Sequence, residues 1–292
     1  MKNIKWLFIT FIAVSLWSCD EEALDSVSIF GPEAGFVENA FDKWLVTNYV
    51  ESYNIDFKYR LEDKESDRTY NLIPADYIKS IAMAKMTKHL WLGAYEELLG
   101  SHFIRTYCPR VLYLVGSPAY NTQGSIVLGT AEGGMKITLY NVNFINLSSL
   151  NIADLNYWYF KTMHHEFAHI LHQTINYPPK FNLITPSDYQ STSWVNMTEK
   201  GALDLGFIST YASSETQEDF VELISIYITS TSTAWTTLVN RANTTGRALI
   251  NQKLDVVREY LLAAWGINLD DLRTIVQRRS TEVLSMDLTT LN

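Results

Sequence analysis

The sequence His165-Glu166-Phe167-Ala168-His169 lies within a stretch from Asn151 to Asn176 that is the strongest indication of the fold and of a functional site. Four of the six histidines of the chain fall between positions 164 and 172. Apolar side chains recur there at helical spacing, at Phe160, Met163, Phe167, Ile170 and Leu171. With Ser149 or Asn151 as the N-cap and Pro178 as a stop, the stretch predicts a largely buried amphipathic helix.

Two histidines four residues apart lie on one face of a helix, about 5–6 Å from each other. His165 and His169 can therefore bind a single ion, and zinc suits such a pair. Glu166 is offset around the helix, which makes it the candidate general base that deprotonates the attacking water. His172 lies roughly 10 Å along the axis from His165, too far for three imidazoles to share one ion. The alternative is an ordinary helix whose core histidines are hydrogen-bonded.

A second motif, Glu218-Asp219-Phe220-Val221-Glu222, predicts another buried helix that begins near Thr216, with Thr216 and Asp219 as its capping residues. Glu218 and Glu222 lie four residues apart, away from the apolar stripe of this helix. Two carboxylates on a packed helix need partners. A zinc ion would make Glu218 the third ligand, and Glu222 would hydrogen-bond a ligand histidine without touching the metal itself. The alternative is a solvated acidic face.

The first residues of the chain indicate export. Residues 1–18 hold two lysines followed by a short apolar run, which is typical of a signal peptide rather than of a membrane span. Ser18 before Cys19 resembles a bacterial lipobox, so Cys19 is expected to be lipidated and residues 19–38 to form a tether. Cys108 then has no cysteine left to pair with. Without residues 1–18 the net charge is −11, which argues against nucleic acid as a partner.

At 292 residues and 47% apolar content, the chain can bury a substantial core. We expect one domain over residues 39–292, with a sheet-containing lobe at 39–176 and a mostly helical lobe at 177–292. The hydrophobic periodicity predicts helices at about 39–50, 74–99, 247–264 and 269–284, and strands at about 53–60, 111–115, 125–128 and 135–145. The last strand precedes the histidine helix, so it either borders the cleft or is an ordinary interior strand.

No chemical role is assigned to the long segment 177–209 or to His89. The long segment 177–209 carries function or hides short helices. His89 has no companion at metal-ligand spacing, so it is expected to be structural.

The lipobox and the two motifs together resemble the substrate import-associated zinc metallohydrolase lipoproteins, which are gluzincin-type metallopeptidases found beside outer-membrane nutrient import systems. The likeness runs through most of the mature chain. It implies an α+β, zincin-like fold with a mixed sheet, an active-site helix and a helical C-terminal part. It also implies that His165, His169 and Glu218 are the zinc ligands and that Glu166 is the base. Tyr211, seven residues before Glu218, matches a tyrosine that stabilises the oxyanion in some gluzincins.

The sequence therefore predicts a zinc-dependent hydrolase with one zinc per chain. The favoured activity is that of a metallopeptidase that cleaves extracellular peptides or glycoproteins for an outer-membrane import complex. The expected location is the outer membrane of a Gram-negative bacterium, exposed at the cell surface through a lipid anchor. One alternative is a non-catalytic lipoprotein that presents substrate to a transporter, and another is a zinc amidohydrolase that acts on non-peptide amides.

Overall fold

A computed structural model describes residues 37–62, 64–120, 126–127, 129–132 and 135–291 of the chain. Cys19, the expected signal peptide 1–18 and all of the tether except its last two residues lie outside these ranges. From Ala40 onward the chain forms one compact unit. Its sheet lies entirely before the histidine helix, and the part after that helix is helical where it has regular structure.

The main sheet has four strands in the spatial order β1 (Asp56–Lys58), β2 (Val111–Leu114), β6 (Lys136–Leu139) and β5 (Gly129–Glu132). The first three strands are mutually parallel, and β5 runs antiparallel to β6. The sheet is therefore mixed, as expected. Its strands are shorter than predicted, and a separate antiparallel pair joins β3 (Ala119–Tyr120) to β4 (Ile126–Val127).

Nine helices occur in the described part of the chain, and three of them contain a π-helical turn. These are α1 (Ala40–Leu45, Val46–Val50 and Glu51–Tyr53), α2 (Tyr77–Met86, Thr87–Leu92 and Gly93–Leu99), α3 (Ser101–Tyr107), α4 (Ile152–Leu155, Asn156–Phe160 and Lys161–Thr174), α5 (Glu199–Asp204), α6 (Thr216–Thr229), α7 (Ser232–Asn240), α8 (Thr244–Trp265) and α9 (Leu269–Glu282). Short 3-10 segments cover Val142–Phe144, Pro179–Leu183, Ser191–Asn196, Tyr211–Ser213 and Val283–Ser285.

The histidine helix α4 begins as the sequence predicts. Asn151 is its N-cap, and the Asn151 side chain accepts hydrogen bonds from the backbone N–H groups of Ala153 and Asp154. The helix packs most extensively against α6, and it also contacts β5. These contacts place α4 between the sheet and the helical second half of the chain.

The expectation that the strand before α4 borders the cleft is wrong. That strand is β6, which pairs with β2 on one side and with β5 on the other. It is an interior strand, the second of the two readings. The two edge strands of the described sheet are β1 and β5, and β5 is the one that pairs with β6.

No helix in the described ranges is both long and apolar enough to cross a membrane. Cys108 is buried and forms no disulfide. His89 is part of the packing between α2 and α9: its Nε2 lies 3.2 Å from Glu282 Oε2, and its Nδ1 lies 3.4 Å from a guanidinium nitrogen of Arg279.

Candidate metal centre

Aromatic packing fixes the rotation of α4 about its axis. His164 is fully buried, and its Nδ1 lies 3.0 Å from the Tyr95 hydroxyl. The Phe167 ring packs edge-on against Tyr95 at a centroid distance of 4.8 Å and against Trp91 at 5.6 Å. Since these side chains occupy the core side of the helix, His165 and His169 face α6.

Three side chains from α4 and α6 converge at one point. His165 Nε2 lies 3.0 Å from Glu218 Oε2, and His169 Nε2 lies 3.3 Å from Glu218 Oε1. The three ligand atoms lie within 4.8 Å of one another. Glu218 Oε2 is buried yet makes no hydrogen bond of acceptable geometry. Two imidazoles and one carboxylate that share a cation would have this arrangement, so the residues fit a zinc ion.

The electrostatics of the centre favour positive charge. Burial lowers the pKa of His165, but the carboxylates of Glu218 and Glu222 outweigh burial and raise it to about 9. Burial raises the pKa of Glu218, but its contacts with His165 and His169 outweigh burial and lower it to about 2. A point that holds a proton so firmly also attracts a metal cation, which would replace that proton.

Glu222 orients the first candidate ligand. Its side chain is almost fully buried, and one of its oxygens lies 3.0 Å from His165 Nδ1. Lys161 Nζ donates to the same oxygen at 3.0 Å, and the Ser209 hydroxyl donates to the other at 2.7 Å. The carboxylate is thereby fully engaged and leaves His165 Nε2 facing Glu218, as expected for a metal-binding histidine supported from behind.

His172 supports the second candidate ligand. Its Nε2 lies 2.9 Å from Nδ1 of His169, and its side chain is buried. It is not among the three residues that converge, in agreement with the distance argument from the sequence. A hydrogen bond between the two rings fixes the orientation of the His169 imidazole, and Nε2 of His169 then faces Glu218.

Glu166 and Tyr211 lie beside these ligands. Burial raises the pKa of Glu166, and the neighbouring histidines lower it while the carboxylates of Glu218 and Glu222 raise it. The Tyr211 ring stacks on His165 with a centroid distance of 6.0 Å. Burial and the carboxylates of Glu218 and Glu222 raise the Tyr211 pKa, which keeps its hydroxyl protonated. The structure thus brings Tyr211 to the same site as the five residues singled out from the two motifs.

Residues 35–270 match a family described as "Putative zinc-binding metallo-peptidase". A crystal structure of a protein with the same description from Bacteroides caccae is 40% identical, with a TM-score of 0.76, over 86% of this chain and 95% of the other. The chain belongs to this family of zinc-binding metallopeptidases. A search among curated proteins finds no match.

One expectation about α6 is wrong, and one alternative is excluded. The N-cap is Glu215 and makes no side-chain capping bond, whereas Asp219 turns inward to an ion pair with Lys253 at 2.6 Å. The solvated acidic face is also excluded, because Glu222 is buried and Glu218 faces the two histidines. The Asp219 carboxylate in the first turn of α6 therefore pairs with a buried lysine and does not cap its own helix.

Sequence reasoning missed Lys161, Ser209 and the supporting role of His172. Lys161 precedes His165 by four residues, so helical spacing alone places it on the same face. Ser209 lies in a segment without periodicity, and nothing in its neighbours points to Glu222. Its oxygen also accepts a hydrogen bond from the backbone N–H of Ala212, which links Glu222 to the turn that carries Tyr211.

Proposed function

We propose that this protein is a gluzincin-type zinc metallopeptidase that hydrolyses peptide bonds in extracellular peptides or glycoproteins for a nutrient import system. The observation that carries the proposal is the convergence of His165, His169 and Glu218, with Glu166 and Tyr211 beside them. In this reading the HExxH pair and the glutamate of α6 hold one zinc, Glu166 is the base and Tyr211 is the oxyanion donor.

When bound, zinc would supply Lewis-acid activation of the scissile carbonyl and of the attacking water. The remaining chemistry falls to the chain. Glu166 takes the proton from the attacking water and passes it to the leaving amine, a role that its raised pKa suits. The protonated hydroxyl of Tyr211 donates a hydrogen bond to the developing oxyanion. Glu222 and His172 hold the two imidazoles in place.

The sheet edge supports a peptide as substrate. β5 is the outer strand next to β6, and it contacts α4, the helix that carries His165 and His169. An extended peptide can pair with such an edge by main-chain hydrogen bonds. This arrangement favours peptides over small non-peptide amides, which have too little backbone to pair.

The decisive test uses the purified mature chain, its zinc content and a quenched peptide library. We expect about one zinc per chain and cleavage that a chelator abolishes. Glu166→Gln should retain the zinc and lose turnover by about 10²–10⁴-fold, whereas Glu51→Gln, an exposed glutamate on α1, should change neither. A zinc-loaded wild type that cleaves no peptide would leave the two alternatives, and turnover of a panel of non-peptide amides would then separate the amidohydrolase from the substrate-presenting lipoprotein.

Tyr211→Phe tests the oxyanion role separately. Loss of one donor at such a position costs about 10²–10³-fold in kcat. We expect this loss in kcat with KM changed little, because the hydrogen bond strengthens as charge develops on the oxygen. An unchanged kcat would reduce Tyr211 to a ring that packs on His165 and Trp194.

The proposed location is the outer membrane, through a lipid on Cys19. The support is the lipobox-like Ser18-Cys19 after a short apolar run. We expect Cys19→Ser to release the protein from the membrane fraction with unchanged thermal stability. Retention of the serine variant in membranes would contradict lipidation at this cysteine.

A further inference from the structure

A cavity of about 400 Å³ lies where the start of α4 meets the segment that follows β6. The side chains that matter for its chemistry are Phe144, Asn146, Ser149, Asn151, Asp154 and Trp158. None of them belongs to the candidate metal centre. The mechanism proposed above therefore leaves this cavity without a role.

One wall of the cavity is aromatic. The rings of Phe144 and Trp158 pack at a centroid distance of 5.7 Å, and Phe144 is 55% exposed. Tyr157 extends this surface, with its ring 5.2 Å from that of Trp158 and a similar exposure. Exposed aromatic rings that cluster beside a cavity are typical of a ligand-binding surface.

The polar side chains that line the cavity offer both hydrogen-bond donors and an acceptor. Asn146 Oδ1 accepts from the backbone N–H of Ser148, and Asn151 Oδ1 accepts from that of Ala153. These bonds fix each amide and leave its NH₂ group available as a donor. The exposed carboxylate of Asp154 is available as an acceptor, since its side chain makes no hydrogen bond or ion pair with the described residues.

This combination decides between ligand classes. A lysine or arginine side chain could stack on Trp158 and pair with Asp154, but it has no acceptor for the two amides. An apolar side chain would leave all three polar groups unmatched. A neutral sugar presents an apolar C–H face to an aromatic ring, and its hydroxyl groups both donate and accept. The negative charge of Asp154 disfavours acidic sugars.

We propose that this cavity binds a neutral sugar residue carried by the substrate. Its link to catalysis rests on the peptidase function proposed above. Trp158 precedes His165 by seven residues on α4, roughly 10 Å along the helix axis. An extended peptide covers that distance with about three residues. A glycan in the cavity and a scissile bond at the metal centre can therefore belong to one glycopeptide.

Binding is tested first without any turnover. The probes are the methyl glycosides of galactose, glucose, mannose, fucose, N-acetylglucosamine and N-acetylgalactosamine, with free sialic acid as the acidic comparison, observed by saturation-transfer NMR on the mature chain. We expect at least one neutral sugar to bind, and Trp158→Ala and Phe144→Ala each to weaken that binding about tenfold or more. Tyr120→Ala, an exposed aromatic that does not line the cavity, should bind normally.

Two outcomes of this measurement overturn the proposal: no neutral sugar binds, or Trp158→Ala and Phe144→Ala bind as the wild type does. Because Trp158 is partly buried, folding of its variant is verified by near-UV circular dichroism. Phe144→Ala removes a largely exposed ring and keeps the test decisive if the tryptophan variant is unstable.

The kinetic test compares one peptide with and without the bound sugar. For the glycopeptide, Trp158→Ala should lower kcat/KM about tenfold through KM, and for the bare peptide it should change kcat/KM less than twofold. An equal loss on both would make the cavity a peptide subsite and overturn the proposal. If neither substrate is cleaved while sugar binding persists, the peptidase function fails and the sugar site stands.

Discussion

His172 reaches the candidate metal centre only through another side chain. Its Nε2 hydrogen-bonds Nδ1 of His169, just as Glu222 contacts Nδ1 of His165. Both histidines that face Glu218 are therefore held from behind by a buried partner. The two partners differ in charge, since Glu222 is an ionised carboxylate and burial lowers the pKa of His172 to about 4, which keeps it neutral.

We expect His172→Ala to weaken zinc binding about tenfold and Glu222→Ala to weaken it about ten- to a hundredfold, the usual range for such supporting residues. The carboxylate has the larger effect because it also adds negative charge to the site. Competition with a fluorescent zinc chelator measures both affinities. His102→Ala, an exposed histidine on α3, is the control. Equal affinities for all four proteins would show that ring orientation does not matter here.

At this scale the sequence predicts the ligand-type residues and one of their supports, Glu222, but not the other supports. His165, His169 and Glu218 have a spacing and a chemistry that together point to one ion. Ser209 and His172 have no such signature, because their roles depend on which side of a folded neighbour they meet. Asp219 shows the same limit, since its position predicts a cap and its burial gives it Lys253 instead.

The start of α6 is fixed to α8 by this buried ion pair. Lys253 Nζ lies 2.6 Å from Asp219 Oδ2 and 2.9 Å from the carbonyl oxygen of Gly206. The Tyr189 hydroxyl donates to the same carboxylate oxygen at 2.8 Å. Because Asp219 directly follows Glu218, this cluster also fixes the position from which Glu218 faces the histidines.

Lys253→Met should lower the free energy of unfolding by about 3–5 kcal/mol, since it leaves the Asp219 carboxylate buried without its cation. Denaturant unfolding measures the loss. Adding Asp219→Asn to the same chain should recover part of it. The matched control is Lys200→Met, whose solvent-screened pair with Asp204 should change the free energy of unfolding far less. A loss no larger than that of the control would mean that the pair adds little to stability.

The contact between α2 and α9 gives a pH-dependent stability. Burial and the charge of Arg279 lower the pKa of His89 below its ordinary value near 6.5, although Glu282 opposes this. His89 therefore binds a proton more weakly in the folded chain than in the unfolded chain. The stability that His89 contributes is present above about pH 6.5 and is lost as the pH falls towards its lowered folded value.

We expect the stability of the wild type to fall from pH 7.5 to pH 5.5 by more than that of His89→Gln, because the variant cannot take up this proton. Denaturant unfolding at the two pH values gives the difference directly. Identical pH dependence in the two proteins would show that His89 binds its proton equally well in the folded and unfolded chains.

At the scale of elements, long periodic segments were predictable and short ones were not. The bounds of α8 and α9 agree with prediction within a few residues, because each buries a continuous apolar stripe. The observed strands are two to four residues long, shorter than predicted, and α7 was not predicted. Sheet order was also out of reach, since the edge position of β5 depends on pairing with β6 rather than on its own sequence.

At the scale of the molecule, the candidate centre joins the two halves of the chain. His165 and His169 come from α4, which follows the sheet, whereas Glu218 comes from α6 in the helical second half. The membership in a family of zinc-binding metallopeptidases covers both halves. A metal ion bound there would bridge α4 and α6, so its binding would stabilise their packing.

We therefore expect zinc removal to lower the melting temperature of the whole unit. With free zinc at about 1,000 times its Kd, binding to the folded chain alone contributes about 4 kcal/mol. For a unit of this size that corresponds to about 10 °C. Differential scanning calorimetry before and after dialysis against a chelator measures the shift. Zinc should restore the original value and magnesium should not, because magnesium prefers six oxygen ligands to imidazoles.

Glu218→Ala should melt near the temperature of the zinc-free protein and respond little to the chelator, since it has lost the ligand that joins the two helices. A wild type that releases its zinc without any change in melting temperature would place the metal away from the α4–α6 contact.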